Sequence, residues 1–182
     1  MRNRLFTSAL ILISLFYVSC ESKVETIKNI DLLSLPSITV KNFQTFFTDS
    51  GKLQLVMVSP ILEQYSNSDD PYNEFVSGIK VYYFNSQKDS AGSVVAKYAK
   101  YSNKKALWEL RDSVVVINEK NDKLETELLF WDQDKDLIYT DRFVKITSED
   151  QIIMGTGFES NSHLTDRKIR KVKATIYLKN EK

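Results

Sequence analysis

Apolar and polar residues alternate with period two over much of the chain, and helical periodicity is hard to find beyond Pro36. The stretches Ile38–Val40, Leu53–Val58, Ile79–Phe84, Val94–Tyr101 and Val114–Ile117 are dense in β-branched and aromatic residues and predict strands. Turn-forming residues separate them, at Thr48–Gly51, Asn67–Pro71, Asn85–Asp89 and Asn118–Asp122. Between Glu21 and Pro36 the composition is mixed, and the pattern predicts a tether with a helical turn around Ile27–Leu33, ended by Pro36.

A period of thirty residues organises the second half. Ala96-Lys97-Tyr98, Thr126-Glu127-Leu128 and Thr156-Gly157-Phe158 share a small-x-large pattern, Leu107-Trp108 matches Leu137-Ile138, and Val114-x-Val116 matches Val144-x-Ile146 and Ala174-x-Ile176. Each unit reads as strand, turn, strand. Such a unit cannot cover its own apolar face, so successive units must stack into a continuous sheet or a pair of sheets.

The clearest alternation, Leu124 to Phe130, places Leu124, Thr126, Leu128 and Phe130 inward and Glu125 and Glu127 outward. The thirty-residue register adds Ala96, Tyr98, Thr156 and Phe158 to the inner face, and the following strand adds Ile138, Thr140, Val144 and Ile146, with Asp141 and Lys145 outside. Two arrangements satisfy this column of apolar groups: two faces packed against one another, or two faces slightly apart with an apolar ligand between them.

The N-terminus follows different rules. Arg2 and Arg4 precede an apolar run from Leu5 to Val18, the layout of a secretory signal. As a helix, those residues would reach about 21 Å, short of a hydrocarbon core of about 30 Å. The run ends at Ser19-Cys20, which resembles the lipobox of bacterial lipoproteins, with Tyr17 where Leu is usual. The expected organisation is therefore a signal peptide over 1–19, a lipidated N-terminus and tether over 20–36 starting at Cys20, and one β-domain over 37–182. Two acyl chains on Cys20 would give a stable membrane anchor.

Loss of the leader removes two of the 25 basic residues, leaving 23 against 24 acidic ones. That near balance argues against an electrostatic nucleic-acid binder. With Cys20 as the only cysteine, no disulfide framework or thiolate metal site is expected, and stability rests on an apolar core.

Catalytic and metal chemistry find little support. Asp132-Gln133-Asp134-Lys135-Asp136 has the spaced carboxylates of a calcium loop, but Leu137 stands where the turning Gly is needed and Phe143 where the bidentate Glu is needed. A solvated hairpin turn is the expectation. His163, the only histidine, lies among polar residues without partners for zinc, and no G-x-S-x-G elbow is present. No catalytic residue, metal or cofactor is predicted. Gly155 and Gly157 are expected to allow a bulge or a close backbone approach.

From Gly78 to Leu178 the chain resembles the LptC family, periplasmic components of lipopolysaccharide export with an OstA-like β-jellyroll. The residues that carry the resemblance are Ala96-Lys-Tyr-Ala-x-Tyr, Trp108-Glu-Leu-x-x-Ser-Val-Val-Val, Leu124-Glu-Thr-Glu-Leu-Leu-Phe-Trp-Asp, Ile138-Tyr-Thr-Asp-x-Phe-Val-Lys-Ile and Gly155-Thr-Gly-Phe. The resemblance implies an all-β fold, a twisted and slightly open jellyroll (β-taco) of stacked strand-turn-strand units. It also implies a periplasmic protein held at the inner membrane, here through the lipid anchor, that is not an enzyme. Such a protein accepts lipopolysaccharide from an inner-membrane ABC transporter of the LptB/LptF/LptG type and passes it to an LptA-like bridge protein. The groove positions so implied are Ala96, Tyr98, Trp108, Val114, Val116, Leu124, Thr126, Leu128, Phe130, Ile138, Val144, Ile146, Thr156 and Phe158. The alternative from another class is an adaptor lipoprotein with a packed β-sandwich that binds only proteins.

The last alternating stretch, Val172 to Leu178, has no later segment to pair with, so a free edge is expected there. Val172, Ala174, Thr175, Ile176 and Leu178 form the predicted docking edge, and the resemblance names the bridge protein as its partner. The neighbouring Arg167, Lys168, Arg170, Lys171 and Lys173 would either meet lipid phosphates or guard the edge against self-pairing.

Overall fold

The protein is described here through a computed structural model covering residues 35–85 and 90–178. The predicted signal peptide, Cys20 and nearly all of the tether lie outside the described residues, as does most of the Asn85–Asp89 turn.

Among the described residues eleven strands form one antiparallel sheet: β1 (Ile38–Asp49), β2 (Lys52–Tyr65), β3 (Tyr72–Phe75), β4 (Ile79–Phe84), β5 (Ser90–Ala96), β6 (Tyr98–Ser102), β7 (Leu107–Ile117), β8 (Lys123–Asp132), β9 (Leu137–Thr147), β10 (Gln151–Ser160) and β11 (Lys168–Tyr177). The fold is therefore all-β, a jellyroll of the taco kind. The predicted Val94–Tyr101 strand is in fact two, β5 and β6, which part at Lys97.

Turn chemistry explains the hairpins. Ser50 and Gly51 both have positive φ, 50° and 76°, between paired Asp49 and Lys52, the backbone a two-residue primed turn needs. Ala106 and Asp136, thirty residues apart, take positive φ at the last position of matching four-residue turns. In the second, Asp132 accepts a hydrogen bond from the Lys135 amide at 3.1 Å and pairs with its ammonium at 2.6 Å, so the spaced carboxylates form a hairpin turn, as expected.

The sheet folds over on itself along a line of bends. Strands β7, β8, β9 and β10 run through the bend, and the ladders break there, between Arg111 and Val114, between Thr126 and Phe130, and between Thr156 and Phe158. On one side lies a first wall (residues 61–65, 72–75, 98–102, 107–111, 128–132, 137–140, 158–160 and 168–169). On the other lies a second wall (55–58, 79–84, 90–96, 114–117, 123–126, 144–147, 151–155 and 172–177). Between β2 and β7 the two walls are built by separate routes, β3–β6 in the first and β4–β5 in the second.

The bends alternate between two lengths. Buried residues flank them as Ser59/Leu62, Ala96/Ala99, Thr126/Leu129 and Gly155/Phe158 in every second strand, and as Phe75/Ile79, Leu110/Val114 and Thr140/Val144 in the strands between. The first set has two residues inside the bend and the second has three. Because side chains in a strand alternate faces, a two-residue bend inverts the phase of the strand, and a three-residue bend preserves it. The long bends put Arg111, Asp112 and Ser113, and thirty residues later Asp141, Arg142 and Phe143, on the outside. Asp112 and Ser113 carry positive φ of 61° and 55°.

The core lies between the walls. Val114, Thr140, Val144, Ala99 and Phe158 are wholly buried, with Ile79, Leu124 and Leu129 nearly so. Side chains from both walls belong to one cluster, against which Trp108 and Trp131 pack. Two predicted glycine roles hold: Gly157 has φ +78° at a register shift, and a Cβ on Gly155 would meet the Lys171 carbonyl oxygen at 2.7 Å.

Candidate functional site

The candidate site is the inner face and its margins. Of the fourteen predicted groove residues, Ala96, Val114, Val116, Leu124, Thr126, Ile138, Val144, Ile146 and Phe158 are buried, and Trp108 packs partly buried against them. These ten share the inner face.

The other four face outward; three of these errors come from a two-residue bend and the fourth from a slip in the repeat. Leu129 is buried and Trp131 packs on the core, so Leu128 and Phe130, which alternate with them, lie outside; Phe130 stacks on outer Tyr139 at 5.2 Å. Ala99 is fully buried, so Tyr98 points out, where its hydroxyl donates to Glu74 at 2.7 Å and its ring lies under Arg111. Burial, reinforced by the hydrogen bond to Glu74, raises the Tyr98 phenol well above its usual range. Thr156 pairs with exposed Phe143, so it also belongs to the outer face; here the thirty-residue period slips by one, since Gly155 and not Thr156 is the inward counterpart of Thr126. The slip arises at the β9–β10 turn, which is one residue shorter: Thr147 pairs with Ile152, where Ile117 pairs with Lys123.

Between the bends and the middle of the walls the interior is filled by side chains. At both ends of the sheet it comes to the surface. On β1, Ile38, Val40 and Phe47 pair with Gln64, Leu62 and Leu55, which places them on the inner face, yet they are exposed, Phe47 by 61%. On β11, Val172 pairs with Gly155 and is 58% exposed, and Thr175 and Tyr177 share its face by their pairing with Ile153 and Gln151. Among the described residues no strand pairs with the far side of β11, so the free edge predicted there exists. Of the predicted docking residues, Val172, Thr175, Ile176 and Leu178 are exposed and Ala174 is half-buried.

The rest of the chemistry lies outside the walls. The outer face of the first wall carries one cross-strand row, Glu63–Glu74–Lys100–Glu109–Phe130–Tyr139–Glu159–Lys168. At the bend, Arg111, Glu125, Glu127, Arg142 and Lys145 line an open cleft of about 800 Å³ where β8 and β9 part. Their charges are mutually neutralised, with Lys145 at 3.7 Å and Lys123 at 2.7 Å from Glu125. Among the described residues no helix is long and apolar enough to cross a membrane, and no group of three or more His, Cys, Asp or Glu stands together to hold a metal ion.

Sequence reasoning missed the loop between β10 and β11. Leu164, at φ 56°, is buried between the walls against Leu124, Ile146 and Phe158. Arg167 pairs with Asp122 in the β7–β8 turn, and the Ser162 amide donates to Asp136 at 3.1 Å. Burial alone would raise the Asp122 carboxyl, but hydrogen bonds from Arg167 and Asn118 outweigh it and hold the carboxyl below its usual range. The one sequence signal was an apolar residue inside an otherwise polar loop.

A single sheet bent into two walls, with an apolar inner face that surfaces at its two edge strands, defines a β-jellyroll of the taco class. The sequence agrees: the family model described as lipopolysaccharide-assembly, LptC-related, matches residues 6–177. The chain belongs to the LptC family, whose members are periplasmic components of lipopolysaccharide transport associated with the inner membrane. No curated protein matches the chain.

Proposed function

We propose that this protein accepts lipopolysaccharide from an inner-membrane ABC transporter, holds its acyl chains between the walls, and passes it to an LptA-like bridge protein docked on β11. The observation that carries the reading is the surfacing of the inner face at both edge strands. An edge strand offers unpaired backbone groups, so a partner jellyroll that adds a strand there also continues the apolar column. Each acyl methylene leaving water contributes about 0.8 kcal/mol, so binding needs no bond chemistry, only separated walls. Acylation of Cys20 would hold the domain at the membrane, with residues 20–36 as tether and 37–182 as the working domain.

One observation favours the second reading, an adaptor that binds proteins alone: the middle of the interior is occupied, with Val114, Val144 and Phe158 wholly buried. Photocrosslinking separates the two. A photoreactive residue at Val144 or Phe158 should capture lipopolysaccharide, and the same residue at Glu127 or Lys145 should not. Equal capture at both sets, or none at Val144 and Phe158, favours the adaptor.

A further inference from the structure

The loop 161–167 is placed where a ligand would have to pass. Both walls end, away from the bend, in turns, and the mouth between them lies along those turns. The loop leaves the first wall at Ser160 and returns to it at Lys168, but its middle spans the mouth. Its Leu164 side chain enters the interior between Leu124 and Ile146 of the second wall and Phe158 of the first. Two contacts tie the loop down, Ser162 to Asp136 in the β8–β9 turn and Arg167 to Asp122 in the β7–β8 turn. These two turns belong to opposite walls, so the loop is a strap across the mouth.

The strap is stiff and strained in the same short stretch. Asn161 organises it, its side-chain oxygen accepting from the Thr165 amide at 2.9 Å and its own carbonyl from the Leu164 amide at 3.0 Å. Leu164 sits in the left-handed region, which an L side chain with a Cβ adopts at a cost and only when surrounding contacts hold it there. Those contacts are the apolar seat of Leu164 and the Arg167–Asp122 pair; without the pair the strap is held to the second wall by the Leu164 seat alone.

Just inside the strap the inner face carries two polar atoms without partners. Trp131 and Ser160 lie on one cross-strand row with Ile138 between them, and the Trp131 Nε1–H and Ser160 hydroxyl have no hydrogen-bond partner. Ser160 is only 4% exposed. An orphaned buried polar group is costly, and a native structure retains one where a strain or a ligand accounts for it. A donor indole and a hydroxyl among apolar inner-face side chains suit the carbonyl oxygens that join acyl chains to a polar head.

We infer that the loop 161–167 is a latch over a lateral entry, that Leu164 is displaced by an incoming acyl chain, and that Trp131 and Ser160 receive the ester or amide oxygens at the head of that chain. The inference rests on the lipid-binding reading above and adds its route and its linkage contacts. Trp131 and Trp108 are the only tryptophans, both against the core, so entry is read by their fluorescence.

The test mixes the full chain with purified lipopolysaccharide in a stopped-flow fluorimeter. Arg167→Ala and Asp122→Asn open the latch from either side, and each should take up lipid about 5- to 30-fold faster, the effect of losing one or two kcal/mol of closure. The exchange Asp122→Arg with Arg167→Asp should return the rate towards that of the native chain. Ser160→Ala should leave the rate unchanged and raise the release rate. Variants that fold, by circular dichroism, yet take up lipid no faster overturn the latch while leaving lipid binding intact. No binding by any chain, the native one included, overturns the lipid-binding reading and the latch together.

Discussion

The Thr126 hydroxyl donates to the Phe143 carbonyl oxygen at 2.9 Å, across the point where β8 and β9 part at the bend. It spans the break in the β8–β9 ladder, where the backbone pairing between the two strands is interrupted. Thr126 is buried, so Thr126→Val keeps its shape and removes this buried hydrogen bond across the break. The expected loss is about 1–3 kcal/mol, read from urea unfolding at constant slope.

The phase inversion of β8 and β10 makes a second prediction. Phe158→Ala should cost about 3–5 kcal/mol, whereas Leu128→Ala, on the outer face, should cost well under half of that. By simple alternation from Leu124 the two would be equivalent inner residues, so equal losses would refute the two-residue bend.

Those two residues also show how far the sequence could be read. The period of thirty was real: β7 and β9 share their burial class at ten of eleven positions, down to the three exposed residues at each bend. What alternation could not show was a bend inside a continuous strand pattern. Nothing in Thr126-Glu127-Leu128-Leu129 announces that the backbone turns there, because a bend of ordinary residues needs no Gly or Pro. The cost of that omission was Tyr98 and Leu128, inside short bends, and Phe130, beyond one; Thr156 was lost to the slip in the repeat. Conversely, β9 has a long bend and keeps its phase, so Ile138, Val144 and Ile146 were read correctly. The strap escaped notice because its logic is long-range: Asp122 and Arg167 are 45 residues apart.

A third prediction concerns alkaline pH. Tyr65 stacks on Tyr72 at 4.5 Å and donates to Glu63 at 2.9 Å; burial first, then this hydrogen bond and the charge of Glu63, push its phenol up to about 12. An unfolded tyrosine ionises near 10, so the folded state is favoured fully below about pH 10, and this share is lost as pH rises through about 12. Stability should fall over that window, less steeply in Tyr65→Phe, as measured by urea unfolding with tyrosinate absorbance as a check.

The proposed acylation of Cys20 gives a fourth. Cys20→Ala should yield a chain that keeps its leader or leaves the membrane fraction, and that takes up no labelled fatty acid. Unchanged fractionation with full labelling would remove Cys20 as the anchor.

The proposed docking at β11 gives a fifth. Thr175 lies on β11 opposite Ile153, and proline there removes a backbone donor and disturbs strand addition at the sheet's end. Thr175→Pro should weaken capture of an LptA-like partner by about tenfold or more while far-ultraviolet circular dichroism stays native. Full-strength capture by a folded variant would place the junction elsewhere.

The surfacing of one inner face at two different edge strands also has a consequence of symmetry. β1 and β11 are not copies of one another, so a contact made through β11 of one molecule and β1 of the next is head-to-tail, and such contacts extend unless their rotation closes a ring. A pile of these shells has no built-in length. Its extent is set by whatever occupies the terminal strands, and a partner that offers only one compatible edge acts as a chain terminator.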